Sequence, residues 1–100
     1  MDIAKRKELY KATVEKWGQT AQLEMAQEEA IELALACRKF VRKPNDESFK
    51  ALASEIADNE IMQEQIKEMF PSIQGHIESE KDFKLNRLSR RVFKGDFESN

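Results

Sequence analysis

The feature that most constrains this chain is the short break Lys43-Pro44-Asn45, which separates two long stretches free of both Gly and Pro. Upstream, Ala21 to Val41 runs uninterrupted; downstream, a second stretch runs from about Glu47 to Met69, where Pro71 and Ser72 force another break. Proline has no amide donor and its ring clashes with the preceding turn, so each proline marks where a helix ends. The 100 residues hold only three Gly and two Pro, while Ala, Glu, Lys, Leu and Gln are common. That composition disfavours a sandwich, a barrel or a doubly wound sheet and predicts an all-α chain. A chain this short buries only about two-thirds of its unfolded surface, enough for one small domain and no second core.

The spacing of apolar and capping residues sets the expected helix boundaries. From Asp2 to about Lys16 the apolar residues Ile3, Leu9, Tyr10, Ala12 and Val14 are loosely spaced, which permits a short helix without demanding one. Trp17-Gly18 then punctuates the chain. Thr20 is the expected N-cap of a long helix reaching about Arg42, and Asn45 or Asp46 caps the next, from about Glu47 to Met69. A third helix is expected from the Ser72 to Ser79 region to about Phe93, with Gly75 weakening its first turn and Ser79 with Asp82 offering a later cap. The tail Gly95 to Asn100 is expected to fray. No internal repeat or low-complexity stretch is visible.

A formal net charge of −2 names no partner, and a dedicated nucleic-acid binder would be basic overall. The single Cys, Cys37, excludes an internal disulfide and a zinc ribbon, and in its apolar run it reads as a small buried hydrophobe. The lone His76 excludes a histidine-rich metal site within one chain and is expected on the surface of a loop beside Gly75. No run approaches the roughly 20 apolar residues of a membrane span, and Met1-Asp2-Ile3-Ala4-Lys5-Arg6-Lys7 lacks the apolar core of a signal peptide, so the expected address is the cytoplasm.

The informative pattern is where the acids sit. In the first long helix Leu23, Ala26, Ala30, Leu33, Cys37 and Phe40 recur at steps of three and four and draw one apolar stripe. At about 100° per residue, Ile31 and Leu35 point well away from that stripe, so one partner helix would not cover this one. Glu29 lies only about 40° to 60° from Leu33 and Ala26, with Glu32 one turn on, so both carboxylates border packed surface. In the second long helix Glu55 and Asp58 fall on the line continued by Met62, Ile66 and Met69. Met25, Met62 and Met69 themselves read as core or interface packing.

Counted outward from residue 44, Glu29 and Glu32 lie fifteen and twelve residues back, while Glu55 and Asp58 lie eleven and fourteen forward. Antiparallel packing across the tight turn would therefore bring four carboxylates to similar height. Like charges at close range raise one another's pKa, and a cation resolves the conflict. Ligation by hard oxygens alone selects Mg²⁺ or Mn²⁺ over zinc or copper.

Trp17-Gly18, Gln22-Leu23, Glu28-Glu29-Ala30-Ile31-Glu32-Leu33, Glu55-Ile56-Ala57-Asp58, Glu60-Ile61-Met62, and Lys84 with Arg87-Leu88 together form a string that resembles the MazG-like nucleoside triphosphate pyrophosphohydrolases. The signature there is E-x-x-E followed on the next helix by E-x-x-D, and the likeness covers roughly Trp17 to Val92. The resemblance implies an antiparallel helical bundle completed by dimerisation, as a dimer or a dimer of dimers, with helices from two chains closing each site. It implies a Mg²⁺-dependent enzyme, with Mn²⁺ a substitute, that splits a nucleoside triphosphate between its α and β phosphates to give the monophosphate and pyrophosphate. Carried over, Glu29, Glu32, Glu55 and Asp58 match the metal-binding acids, and Glu28 is the adjacent acid that would orient another metal or a water. Lys84 and Arg87, with Arg91, match the basic positions that hold phosphates. Six basic residues between Lys81 and Lys94 face a single acid, Asp82, which favours a phosphate-attracting field there. Trp17 and Gln22 lie where related proteins approach the nucleoside. Asn59 stands where an apolar residue is usual, and would either place a polar group near the ligand or face water.

Plainer accounts exist for each feature. The acids would serve as solvated helix faces, Lys84, Arg87 and Arg91 as cations favoured near a helix C-terminus, and Trp17 as a core or capping aromatic. The competing function is a non-catalytic helical interaction module with a structural acidic cluster. A nucleic-acid binder using the basic helix ranks last, because Glu24 to Glu32 is acidic.

Overall fold

The computed structural model describes residues 1–94. Within them the chain is all-α, with α1 Ile3–Trp17, α2 Gln19–Arg42, α3 Asp46–Met69 and α4 Ile73–Lys94. The expected fraying at Gly95 to Asn100 lies outside the described residues. The chain divides into two units, Met1–Phe70 with the first three helices and Pro71–Asn100 with α4. No helix among the described residues is long and apolar enough to cross a membrane.

In the first unit α2 and α3 form an antiparallel hairpin whose packed seam has a regular 4-3-4 spacing. At that spacing Gln22, Ala26, Glu29, Leu33, Ala36 and Phe40 of α2 and Ser48, Leu52, Glu55, Asn59, Met62, Ile66 and Met69 of α3 are buried or half-buried. Ala21, Asp58, Glu64, Gln65 and Lys67 are also shielded but lie off the series, Glu64 and Gln65 where α1 docks. Steps of four and three average 3.5 residues, close to the helical period, so each series holds one face toward its partner along the whole hairpin. Three positions of the expected α2 stripe fall elsewhere: Leu23, Ala30 and Cys37 are exposed, the last as a free thiol. The seam runs through Ala36, and Cys37 one residue on is turned about 100° away from it. Ile31 and Leu35, at 60% and 58% exposure, carry the second apolar side expected of this helix.

The turn end is fixed by capping. The Asn45 side chain accepts from the Ser48 amide at 2.8 Å, while the Ser48 hydroxyl accepts from the Asn45 amide at 3.1 Å and lies 2.8 Å from the Lys43 carbonyl. These bonds satisfy amides that the first turn of α3 leaves without helical partners. The Phe40 and Phe49 rings, 6.0 Å apart and tilted, bridge the two helices beside the turn.

The permitted N-terminal helix forms as α1, and polar contacts dock it. Tyr10 is buried, and its hydroxyl donates to Glu64 Oε1 at 2.7 Å; Gln65 on α3 donates to the Thr13 hydroxyl. Arg6 and Lys7 add exposed ion pairs to Glu64 and Glu68 at 3.4 and 3.8 Å. Gly18 joins α1 to α2 with φ of 88°, a conformation in which a Cβ would be strained, and its amide donates to the Val14 carbonyl at 2.8 Å. Because Gly18 ends α1 and caps α2, α2 begins at Gln19, and Thr20 lies inside the first turn instead of capping it.

In the second unit α4 starts at Ile73, earlier than the Ser79 and Asp82 cap would allow. Gly75 and the exposed His76 are therefore helical, not part of a loop.

Candidate acidic site

Glu29 and Glu55 occupy the seam of the hairpin, and Asp58 lies three residues beyond Glu55 on the same side of α3. One carboxylate oxygen from each of the three lies within 4.8 Å of the other two. Their heights agree because Glu29 and Asp58 stand fifteen and fourteen residues from residue 44, and the capped three-residue turn fixes that count.

This cluster is electrostatically uncomfortable. The Glu29 carboxyl is held above its ordinary value of 4.5, first by loss of water, then by the negative charges of Asp58 and Glu55, a hydrogen bond with Asp58, and the charge of Glu32. None of the ion pairs among the described residues engages Glu29, Glu55 or Asp58. Glu55 Oε2 is buried and has no hydrogen-bond partner. A buried carboxylate oxygen without a donor is costly, and the donor set offered at this spot is made only of hard oxygens.

Of the four acids expected to converge, the structure brings three together. Glu32 is exposed one turn along α2 and acts on Glu29 through its charge rather than joining the group. Glu28 is exposed on the neighbouring side of α2.

Asn59 neither faces water nor directs its amide protons outward. It is buried, and its side-chain nitrogen donates to the main-chain carbonyls of Glu29 at 2.8 Å and Glu55 at 2.9 Å. The sequence marks Asn59 only through the family resemblance, where an apolar residue is usual, and that its amide reaches across to α2 is not legible there. Gln22 is buried at the far end of the α2 seam, whereas Trp17 is 57% exposed at the end of α1, with Lys16 Nζ 5.3 Å from the ring centroid.

The basic residues belong to the second unit. Lys84 lies 3.9 Å from Glu80, and the Arg87 guanidinium sits over the Phe83 ring at 5.8 Å. Lys84, Arg87 and Arg91 are all exposed.

Comparison with family models, with curated proteins and with solved structures gives no match to this chain.

Proposed function

We propose that this chain is a MazG-like nucleoside triphosphate pyrophosphohydrolase that uses Mg²⁺, or Mn²⁺ in its place. The observation that supports this most is the convergence of Glu29, Glu55 and Asp58, one of which, Glu55, also has a buried oxygen without a hydrogen-bond partner. Three carboxylates with no nitrogen or sulfur donor suit a hard divalent cation, which would relieve both their repulsion and the orphaned oxygen. Glu29, Glu55 and Asp58 would hold it, with Glu32 adding charge from one turn away.

A bound Mg²⁺ supplies positive charge against triphosphate oxygens and acidifies water. In the hydrolysis, a water oxygen bonds to the α phosphorus while the bridging oxygen leaves with pyrophosphate. Lys84, Arg87 and Arg91 offer cations that would bind and orient the phosphates, and Trp17 offers an exposed aromatic face to a base. Ile31 and Leu35 on α2 with Phe49 and Ile56 on α3 leave apolar side chains exposed, which favours a homodimer or a dimer of dimers.

The test is a panel of common and noncanonical nucleoside triphosphates incubated with and without Mg²⁺, with products resolved by phosphorus NMR. Monophosphate and pyrophosphate are expected only with metal, and Glu29→Gln and Asp58→Asn are expected to abolish both while keeping the helical signal. Orthophosphate as the product overturns the bond assignment. The exposed apolar faces also suit a non-catalytic dimeric interaction module, for which no nucleotide of the panel is cleaved.

A further inference from the structure

Between its ends, the α2–α3 seam is interrupted by three polar side chains, Glu29, Glu55 and Asn59, and all three lie together. Two of them supply carboxylates to the acidic cluster; the third touches the main chain of both. The Asn59 bond to the Glu55 carbonyl stays within one turn of α3, but the bond to the Glu29 carbonyl crosses to α2. A side chain as short as asparagine reaches a carbonyl of a neighbouring helix only where the two backbones come close and that carbonyl is rolled toward it.

The turn at residues 43–45 fixes how far the helices are staggered along their axes. It leaves free how far apart they stand, and how each is rolled, at a level fourteen or fifteen residues away, roughly 20 Å along a helix. The two Asn59 hydrogen bonds, one to each helix, act on both quantities at that level. An apolar side chain there would pack the seam at least as well, and a polar residue in a helix–helix seam is known to fix geometry at a cost in stability.

We infer that Asn59 is a positioning residue of the acidic site: by tying the main chains of Glu29 and Glu55 together, it holds the separation and roll of α2 and α3 that gather the three carboxylates. The consequence for metal rests on the proposed function; the consequence for helix geometry does not.

The experiment uses the full chain with Asn59→Leu and, as a second variant that adds no bulk, Asn59→Ala. Each is melted without metal and titrated with Mn²⁺ alone by calorimetry. In a Cys37→Ser background, nitroxide labels at Gln27→Cys and Glu60→Cys, both exposed, report the α2–α3 distance by pulsed electron paramagnetic resonance. Asn59→Leu is expected to stay helical and melt no lower than the parent, yet to bind Mn²⁺ about 10- to 100-fold more weakly, the usual effect of losing a group that orients metal ligands. Its distance distribution is expected to shift or broaden. Unchanged Mn²⁺ affinity and an unchanged distribution in either folded variant overturn the inference. Should the parent bind no Mn²⁺, the metal proposal fails separately, and the distance decides alone: a broadened or shifted distribution supports the role of Asn59, and an unchanged one overturns it.

Discussion

The Tyr10 hydroxyl donates a 2.7 Å hydrogen bond to the Glu64 carboxylate, joining α1 to the second half of α3 across 54 residues of sequence. Burial and this bond to a negative acceptor raise the phenol from 10.0 to about 12. Tyr10→Phe keeps the ring and removes only the bond, so it is expected to cost about 1–2 kcal/mol in urea unfolding with no loss of helical signal. The folded state holds the phenolic proton more tightly than the unfolded chain does. This contribution is therefore complete below pH 10 and is lost as pH rises toward about 12. An alkaline stability profile identical in parent and variant would remove Tyr10 from the docking of α1.

Glu29 has the same sign at lower pH. Its carboxyl is raised above 4.5 in the fold by desolvation and by Asp58 and Glu55, so the folded state again binds the proton more tightly. Stability from this group is full below pH 4.5 and falls as pH rises through the raised value. Glu29→Gln is accordingly expected to unfold later than the parent at pH 7 without metal, and the gap is expected to close below pH 4.5. A gap that does not depend on pH would mean the carboxylates do not repel one another in the fold.

Divalent metal is expected to reverse that ranking. If Mn²⁺ occupies the cluster, saturating metal stabilises the parent by binding only its folded state, and leaves Glu29→Gln nearly unmoved. Paired thermal melts with and without Mn²⁺ read this directly, and equal shifts in both proteins would place the metal elsewhere.

Ser48 is 2% exposed and closes the capping box while its hydroxyl bonds the Lys43 carbonyl. Ser48→Ala is expected to cost about 1–2 kcal/mol by urea unfolding, since buried main-chain groups lose their partner. The Asp46–Lys50 pair nearby has side chains 83% and 76% exposed, so Asp46→Ala is expected to cost under about 0.5 kcal/mol. Comparable losses at the two positions would contradict the capping assignment.

The proposed dimer places Ile31 and Leu35 in an interface. Replacing both with Glu is expected to give a monomer by sedimentation velocity, with its helical content retained, because neither side chain packs in the α2–α3 seam. An unchanged mass would put the interface on another face.

The sequence by itself determined the all-α class and the hairpin. Pro44 and Pro71 bracket α3, the run before Pro44 yields α2, and the counts outward from residue 44 already set Glu29 level with Asp58. These are local rules of backbone chemistry and helical rise, which act within a few turns of chain. The tertiary structure decided what depends on roll and on distant partners. It moved the α2 seam onto Ala36 and left Cys37 outside, because the face that packs is chosen by the fit to α3 and not by hydropathy alone. It selected Glu29, Glu55 and Asp58 from four acids, and it turned Asn59 inward to two carbonyls, one of them 30 residues away. It also docked α1 through Tyr10, Glu64, Thr13 and Gln65, polar contacts that no apolar period announces. A hydrogen bond between residues far apart in the chain leaves no trace in the spacing of either one, so those pairings became visible only once the helices were packed.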